Sequence, residues 1–452
     1  MPDRLIPPAS IAAERTYLDG SFRPATVRIA TDGTVAAIDP FDPGAEVVLA
    51  SDAVLLPGLV DTHVHLNEPG RTAWEGFATG TAAALAGGVT TVCDMPLNSL
   101  PVTTTPRALA VKREATGGQL ACDLAYWGGA VPENLGSLAE LLDAGAVGVK
   151  CFMGPSGIDE FGHLDPAQIT AAMTELARVD GLLIAHAELA HLLGEASGPD
   201  YPAFAASRPQ RAEAEAIEIL VDAARRTGAR VHVVHLAAAE ALDVVRRAKR
   251  AGVRITAETC PHYLSLCAEE IPPGQGRFKC CPPIRDAANR DGLWEGVLDG
   301  TIDAIVSDHS PATAELKDNP DLGQAWGGIA GVQTGLSVVW TAARDRGIGL
   351  ERILPLFTTG PAALVGLDGA GELPVRGRIA VGAAAHLTVF SPDSPYTLRA
   401  ADLLYRNTIS PWLGADLTGS FRATYLYGAP AWDPAHGTGP AAVLTRTGKE
   451  LI

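Results

Sequence analysis

From residue 58 to residue 308 the chain repeats one pattern. A short apolar, β-branched run ends in a polar residue, and an Ala-, Leu- and Glu-rich stretch of helical character follows. The runs fall at 58–65, 89–95, 121–127, 146–152, 182–186, 230–235, 253–259 and 302–308. Strands alternating with helices predict parallel β/α units. Eight such units over about 250 residues predict a closed (β/α)8 TIM barrel of the α/β class. An open doubly wound sheet is the competing arrangement. The polar residues decide between them: His63, His65, Lys150, His186, His235 and Asp308 all lie near the C-terminal ends of predicted strands. In a barrel those ends converge on one face.

The flanks read differently. Residues 15–56 hold short strand candidates at 26–30 and 34–38 around Asp32-Gly33, and residues 376–428 hold others at 377–380 and 386–390. Short strands need partners, so the two flanks are expected to pair into one small β-sandwich domain. The expected division is 1–56 for the N-terminal part of that domain, 57–372 for the barrel and 373–452 for the C-terminal part.

Composition narrows the function. The 452 residues are 47% hydrophobic and 19% charged, ordinary values for a chain with a large core. A formal charge of −17 and the lack of any Lys/Arg-rich run argue against a nucleic-acid partner. No run of about 18 apolar residues predicts a membrane span, and residues 1–8 lack the apolar stretch of a signal peptide. Seven cysteines in apolar settings, without a C-x-x-C pair, read as reduced thiols of a cytoplasmic protein.

The candidate chemistry begins at Asp61-Thr62-His63-Val64-His65. Histidines at i and i+2 on a strand share a face, so one strand can aim both imidazoles at one metal; the competing reading is two polar residues at a strand end. Lys150 ends the apolar fourth strand. Burial lowers a lysine's pKa, and a neutral amine can react with carbon dioxide to give a carbamate whose oxygens bridge two metals; otherwise the side chain reaches the barrel mouth or pairs with an acid. His186 and His235 each follow an apolar run and, taken singly, read as core histidines. His232 is at odd spacing from His235 and is expected to face the helices. Asp308, after the eighth strand, suits a metal ligand, a general base and acid, or a helix cap. Together, His-x-His on strand 1, Lys on strand 4, His on strands 5 and 6 and Asp on strand 8 form a complete two-metal site. Five N/O side chains and a carbamate suit zinc or a similar divalent ion, and two such metals suit hydrolysis of a carbonyl compound.

That arrangement resembles the amidohydrolase superfamily, in the branch of cyclic amidases that holds dihydroorotases, hydantoinases and allantoinases. The resemblance runs from the segment 57–65 through Asp308-His309 to Gly377-Arg378-Ile379-Ala380-Val381-Gly382. It implies that His63, His65 and Asp308 hold the more buried metal, carbamylated Lys150 bridges, and His186 and His235 hold the second. Within the branch the allantoinase family is most similar. Dihydroorotases place an Arg where this chain has Asn67, and allantoin has no carboxylate for such an Arg to grip. Met95-Pro96-Leu97-Asn98, the stretch 68–76 and the stretch 325–333 are similar to allantoinase segments, and the Tyr that hydantoinases carry after the lysine is absent between Lys150 and Glu160. The resemblance implies hydrolytic opening of allantoin to allantoate with Asp308 carrying the proton, Asn98, His262 and Cys281 as substrate contacts, and a homotetramer. The alternatives are a hydantoinase or dihydropyrimidinase, a dihydroorotase, and a non-catalytic scaffold that would lack the ligands seen here. Two departures stand out: Cys281 replaces a Ser, and the loop 153–157 is shorter than in some relatives.

Overall fold

The computed structural model describes residues 7–369, 374–436 and 442–451. The segment 1–6 and the expected boundary at 372/373 lie outside the described residues.

Eight parallel strands form the barrel: β1 (Leu59–Val64), β2 (Val89–Asp94), β3 (Asp123–Tyr126), β4 (Val149–Phe152), β5 (Leu182–His186), β6 (Arg230–Val233), β7 (Ile255–Thr259) and β8 (Ala304–Ile305). β1, β2 and β3 pair in sequence, and β4 to β8 do likewise. Gly128–Gly129 carries the path of β3 on to β4. The ring closes where Val64 bridges His309, with the His65 amide donating to the His309 carbonyl at 2.8 Å. β1, β2, β3, β4 and β5 are buried along their whole length, as strands covered on both faces must be. Their sequences accordingly read as apolar runs rather than alternations.

The helices bury one stripe each. Gln210–Thr227 turns Ala212, Ala216, Ile217, Leu220, Val221 and Ala224 inward, and Gly228 ends it at φ 75°, a left-handed position that suits glycine. Pro166–Ala177 starts on a capping box in which Asp165 accepts from the Gln168 amide. Among the described residues, no helix is long and apolar enough to cross a membrane.

Both flanks meet in a single eight-stranded sheet. Ser10–Leu18, Ser21–Ile29, Val35–Asp39, Val47–Val48 and Val54–Pro57 come from the N-terminal side, and Leu387–Thr397, Asp416–Leu426 and Ala429–Trp432 from the C-terminal side. Val54–Pro57 joins the two, pairing with Leu387–Phe390 on one edge and at Thr16 on the other. The sheet has its own core of Ile11, Val27, Leu55, Leu387 and Val389, an arrangement compatible with the expected sandwich. Phe421 of this sheet presses on Gly88, where a Cβ would come within 2.3 Å of the ring.

Residues 448–451 leave the small sheet and run beside β3, with the Leu124 amide donating to the Lys449 carbonyl at 2.8 Å. Asp123 of β3 is fully buried there, paired with Arg376 at 2.9 Å and accepting from the Tyr427 hydroxyl at 2.8 Å.

Candidate active site

The C-terminal ends of the barrel strands bring His63, His65, Lys150, His186, His235 and Asp308 together, all of them buried. His63 Nε2 lies 3.1 Å from Asp308 Oδ1 and 3.2 Å from Lys150 Nζ, and His65 Nε2 lies 3.6 Å from Asp308 Oδ1. The ligand atoms of His63, His65 and Asp308 all fall within 4.8 Å of one another, a spacing suited to one metal ion. Beside them His186 Nδ1 faces His235 Nε2 at 3.0 Å.

Hydrogen bonds to the far ring nitrogens set the tautomers. His63 Nδ1 donates to Glu258 Oε1 at 2.6 Å, His65 Nδ1 to the Leu97 carbonyl at 2.7 Å and His186 Nε2 to Glu188 Oε2 at 2.8 Å. Burial holds His63, His65 and His235 well below the usual histidine pKa, and lowers His186 too. Neutral rings with one nitrogen committed keep a lone pair on His63 Nε2, His65 Nε2 and His186 Nδ1. This is the form in which imidazole binds a divalent metal. Burial also lowers Lys150, its largest cause, while the same desolvation raises Asp308.

Two acids that sequence reasoning did not single out support these rings. Glu258 on β7 holds His63 with one oxygen and accepts from His232 Nε2 at 3.0 Å with the other; His232 Nδ1 in turn lies 2.7 Å from Thr256 Oγ1. His232 therefore serves the site through Glu258 instead of simply facing the helices. The expectation failed because β6 ends at Val233, and His235 then takes φ 39°, so strand parity does not extend to it. Glu188 is gripped by Arg208, Nε to Oε1 at 3.0 Å and Nη2 to Oε2 at 2.5 Å. That pairing holds its carboxyl down at about 2 against the desolvation that would raise it. The available signal was an acid within the apolar strand β7 (Glu258) or just past the end of β5 (Glu188), which needs a partner when buried. Glu258→Gln leaves His63 without its anionic acceptor and is expected to weaken metal binding about 10- to 100-fold. Chelator-competition titration measures this, and unchanged affinity would remove Glu258 from the site.

A cleft of about 370 Å³ opens over these groups, lined among others by Asn98, Lys150, Arg208, Lys279, Cys281, Asp308 and Trp326. Asn98 and Cys281 thus reach the cleft. His262 is fully buried with neither ring nitrogen hydrogen-bonded, and one of those nitrogens lies within 4.8 Å of the Asp308 carboxylate and of Cys260 Sγ. The cations at the cleft wall are committed. Arg208 holds Glu188, and Lys279 Nζ donates to the Ala325 carbonyl at 2.5 Å.

A barrel with this constellation at its C-terminal mouth defines a hydrolase class, and comparison with known proteins agrees. Residues 54–424 match the model of the Amidohydrolase family. An allantoinase of Streptomyces avermitilis is 49% identical over 413 residues, covering 90% of this chain and 91% of that protein. An allantoinase of Saccharomyces cerevisiae is 40% identical over 458 residues, covering 96% and 97%. Among solved structures, the L-hydantoinase (dihydropyrimidinase) of Arthrobacter aurescens superposes with a TM-score of 0.88 at 27% identity, covering 98% of this chain and 99% of that one. The chain belongs to the amidohydrolase family and is a cyclic amidohydrolase enzyme.

Proposed function

We propose that the enzyme hydrolyses allantoin to allantoate. The observation that carries this reading is the pair of allantoinase relatives spanning nine-tenths or more of the chain. The cleft supports it: Arg208 and Lys279 at its wall are engaged by Glu188 and the Ala325 carbonyl, and the neutral amide of Asn98, which donates to Asn67 Oδ1 at 3.3 Å, lines it. A neutral ureide suits such a wall better than dihydroorotate does.

The donor set fits two divalent ions. In this reading His63, His65 and Asp308 would hold one zinc or similar ion and His186 and His235 a second, with Lys150, carbamylated, as their shared ligand. Bound metals lower the pKa of water toward neutrality and polarise a carbonyl. Asn98 and Cys281 orient the ring in the cleft. Asp308 accepts a proton from the attacking water and delivers it to the ring nitrogen as the amide C–N bond breaks. Ser310 Oγ, donating to Asp308 Oδ1 at 3.0 Å, fixes that carboxylate. Residues 57–372 are the catalytic unit, and 1–56 with 373–452 the small domain. All seven cysteines are free, in keeping with a reducing compartment, and the reading is completed by a cytoplasmic homotetramer.

The test is an assay of purified protein, supplied with divalent metal and bicarbonate, on allantoin, hydantoin, dihydrouracil and dihydroorotate. Strong preference for allantoin is expected. Turnover of only the other rings would overturn the substrate assignment and leave the metal chemistry standing.

A further inference from the structure

Two segments that resemble allantoinases in sequence, 68–76 and 325–333, are far apart in the chain and have no part in the chemistry above. The structure brings them together at the rim of the cleft. Trp74 meets Trp326 edge-on, with ring centroids 4.7 Å apart, and Trp326 lines the cleft. Arg71 lies with its guanidinium carbon 5.3 Å from the Trp74 ring centroid. Its Nη1 donates to the Asn98 carbonyl at 2.7 Å, and its Nη2 reaches Glu160 Oε1 at 3.2 Å. One side chain thus ties the loops that follow β1, β2 and β4, and through Trp74 it touches the loop that follows β8.

These contacts differ in weight. Glu160 is 42% exposed, so that ion pair is screened and contributes little. The bond to Asn98 is charge-assisted, and Arg71 is only 18% exposed. Asn98 is then held from both sides by one turn: its carbonyl by Arg71 and its amide by Asn67. The strap bearing Trp326 is itself fixed from beneath. Lys317, 3% exposed, donates to the carbonyls of Trp326 at 2.9 Å and Gly328 at 2.6 Å. The rim is therefore set before substrate arrives, and it stands apart from the metal ligands.

We infer that Arg71 is a positioning residue that locks Asn98 and the Trp74–Trp326 pair, and that this clasp selects for the substituent carried on the ring. The inference rests on the allantoinase reading, since allantoin is a hydantoin ring with a ureido group attached. With its scissile carbonyl placed at the metal end of the cleft, allantoin would direct its ureido group toward the rim lined by Asn98 and Trp326. Preorganised contacts to a non-reacting group improve binding more than the chemical step.

The experiment compares steady-state kinetics of wild type, Arg71→Met, Arg71→Lys and Trp326→Leu on allantoin and on unsubstituted hydantoin, with metal content measured in each. Arg71→Met keeps the aliphatic stem against Trp74 and removes the hydrogen bonds. It is expected to raise KM for allantoin about tenfold while kcat stays within about threefold and metal content is unchanged. The preference for allantoin over hydantoin in kcat/KM falls by a similar factor in Arg71→Met and in Trp326→Leu. Arg71→Lys, able to donate one bond to the Asn98 carbonyl, recovers part of it. An unchanged preference in both Arg71→Met and Trp326→Leu overturns the inference. So does joint loss of metal and kcat at constant KM, which would make Arg71 a support for His65 through the neighbouring Leu97 carbonyl. Wild type inert toward allantoin overturns the substrate reading alone. The clasp is then read from the preference between substituted and unsubstituted forms of whichever ring wild type opens, and it fails if the variants leave that preference intact.

Discussion

Asp308→Asn is expected to lose turnover by about 10³-fold or more while the protein stays folded. Asp308 lies within reach of two histidine nitrogens, is 6% exposed, and has its pKa raised by burial. A carboxylate so placed can take and return a proton near neutral pH, and loss of such a group costs about 10²- to 10⁴-fold before any ligand role is added. The amide cannot carry the proton and is a poorer metal ligand. Asparagine is the informative replacement because Asp308 sits at φ 44°, a left-handed conformation that Asn tolerates and that costs alanine about 1–2 kcal/mol. Asp308→Ala should therefore be equally inactive and measurably less stable. Steady-state kinetics and thermal melts on the two variants check both points. Near-normal activity in either would remove Asp308 from the chemistry.

Lys150→Ala should lose both metal and activity, on the order of 10³-fold in rate, and short carboxylic acids should restore part of each. Lys150 is 1% exposed and 3.2 Å from His63 Nε2, an awkward place for a plain ammonium. Burial lowers its pKa and so increases the neutral amine that can capture carbon dioxide. Removing the side chain leaves a buried space open to the cleft, where acetate or propionate can supply the missing carboxylate. Metal analysis and activity with and without added acid are the readout. A variant with full metal and full activity would rule out the carbamate.

The sequence carried the barrel and its ligands because both follow from short-range rules. His63 and His65 lie on a regular strand, where i and i+2 share a face. His186 and Asp308 each close an apolar run and Lys150 interrupts one, and a polar residue there stands toward the barrel mouth. The same rules fail where the strand stops. β8 is only Ala304–Ile305, since β1 is closed off by the bridge at His309 beyond it. His235 is aimed by a left-handed residue rather than by pleat. Arg208 was illegible for a different reason: it comes from a long connection between β5 and the helix Gln210–Thr227, and only tertiary packing brings it to Glu188.

The position of Val54–Pro57 has a consequence for biosynthesis. Its partner Leu387–Phe390 is made only after the entire barrel has been translated. At about 5–20 residues per second this is a delay on the order of tens of seconds. Throughout that interval the nascent N-terminal strands keep one edge bare, and a bare apolar edge recruits other chains. The barrel can consolidate meanwhile, so the small sheet closes late. Losses to aggregation during overexpression or refolding should therefore originate in the first sixty residues, far from any residue that touches substrate.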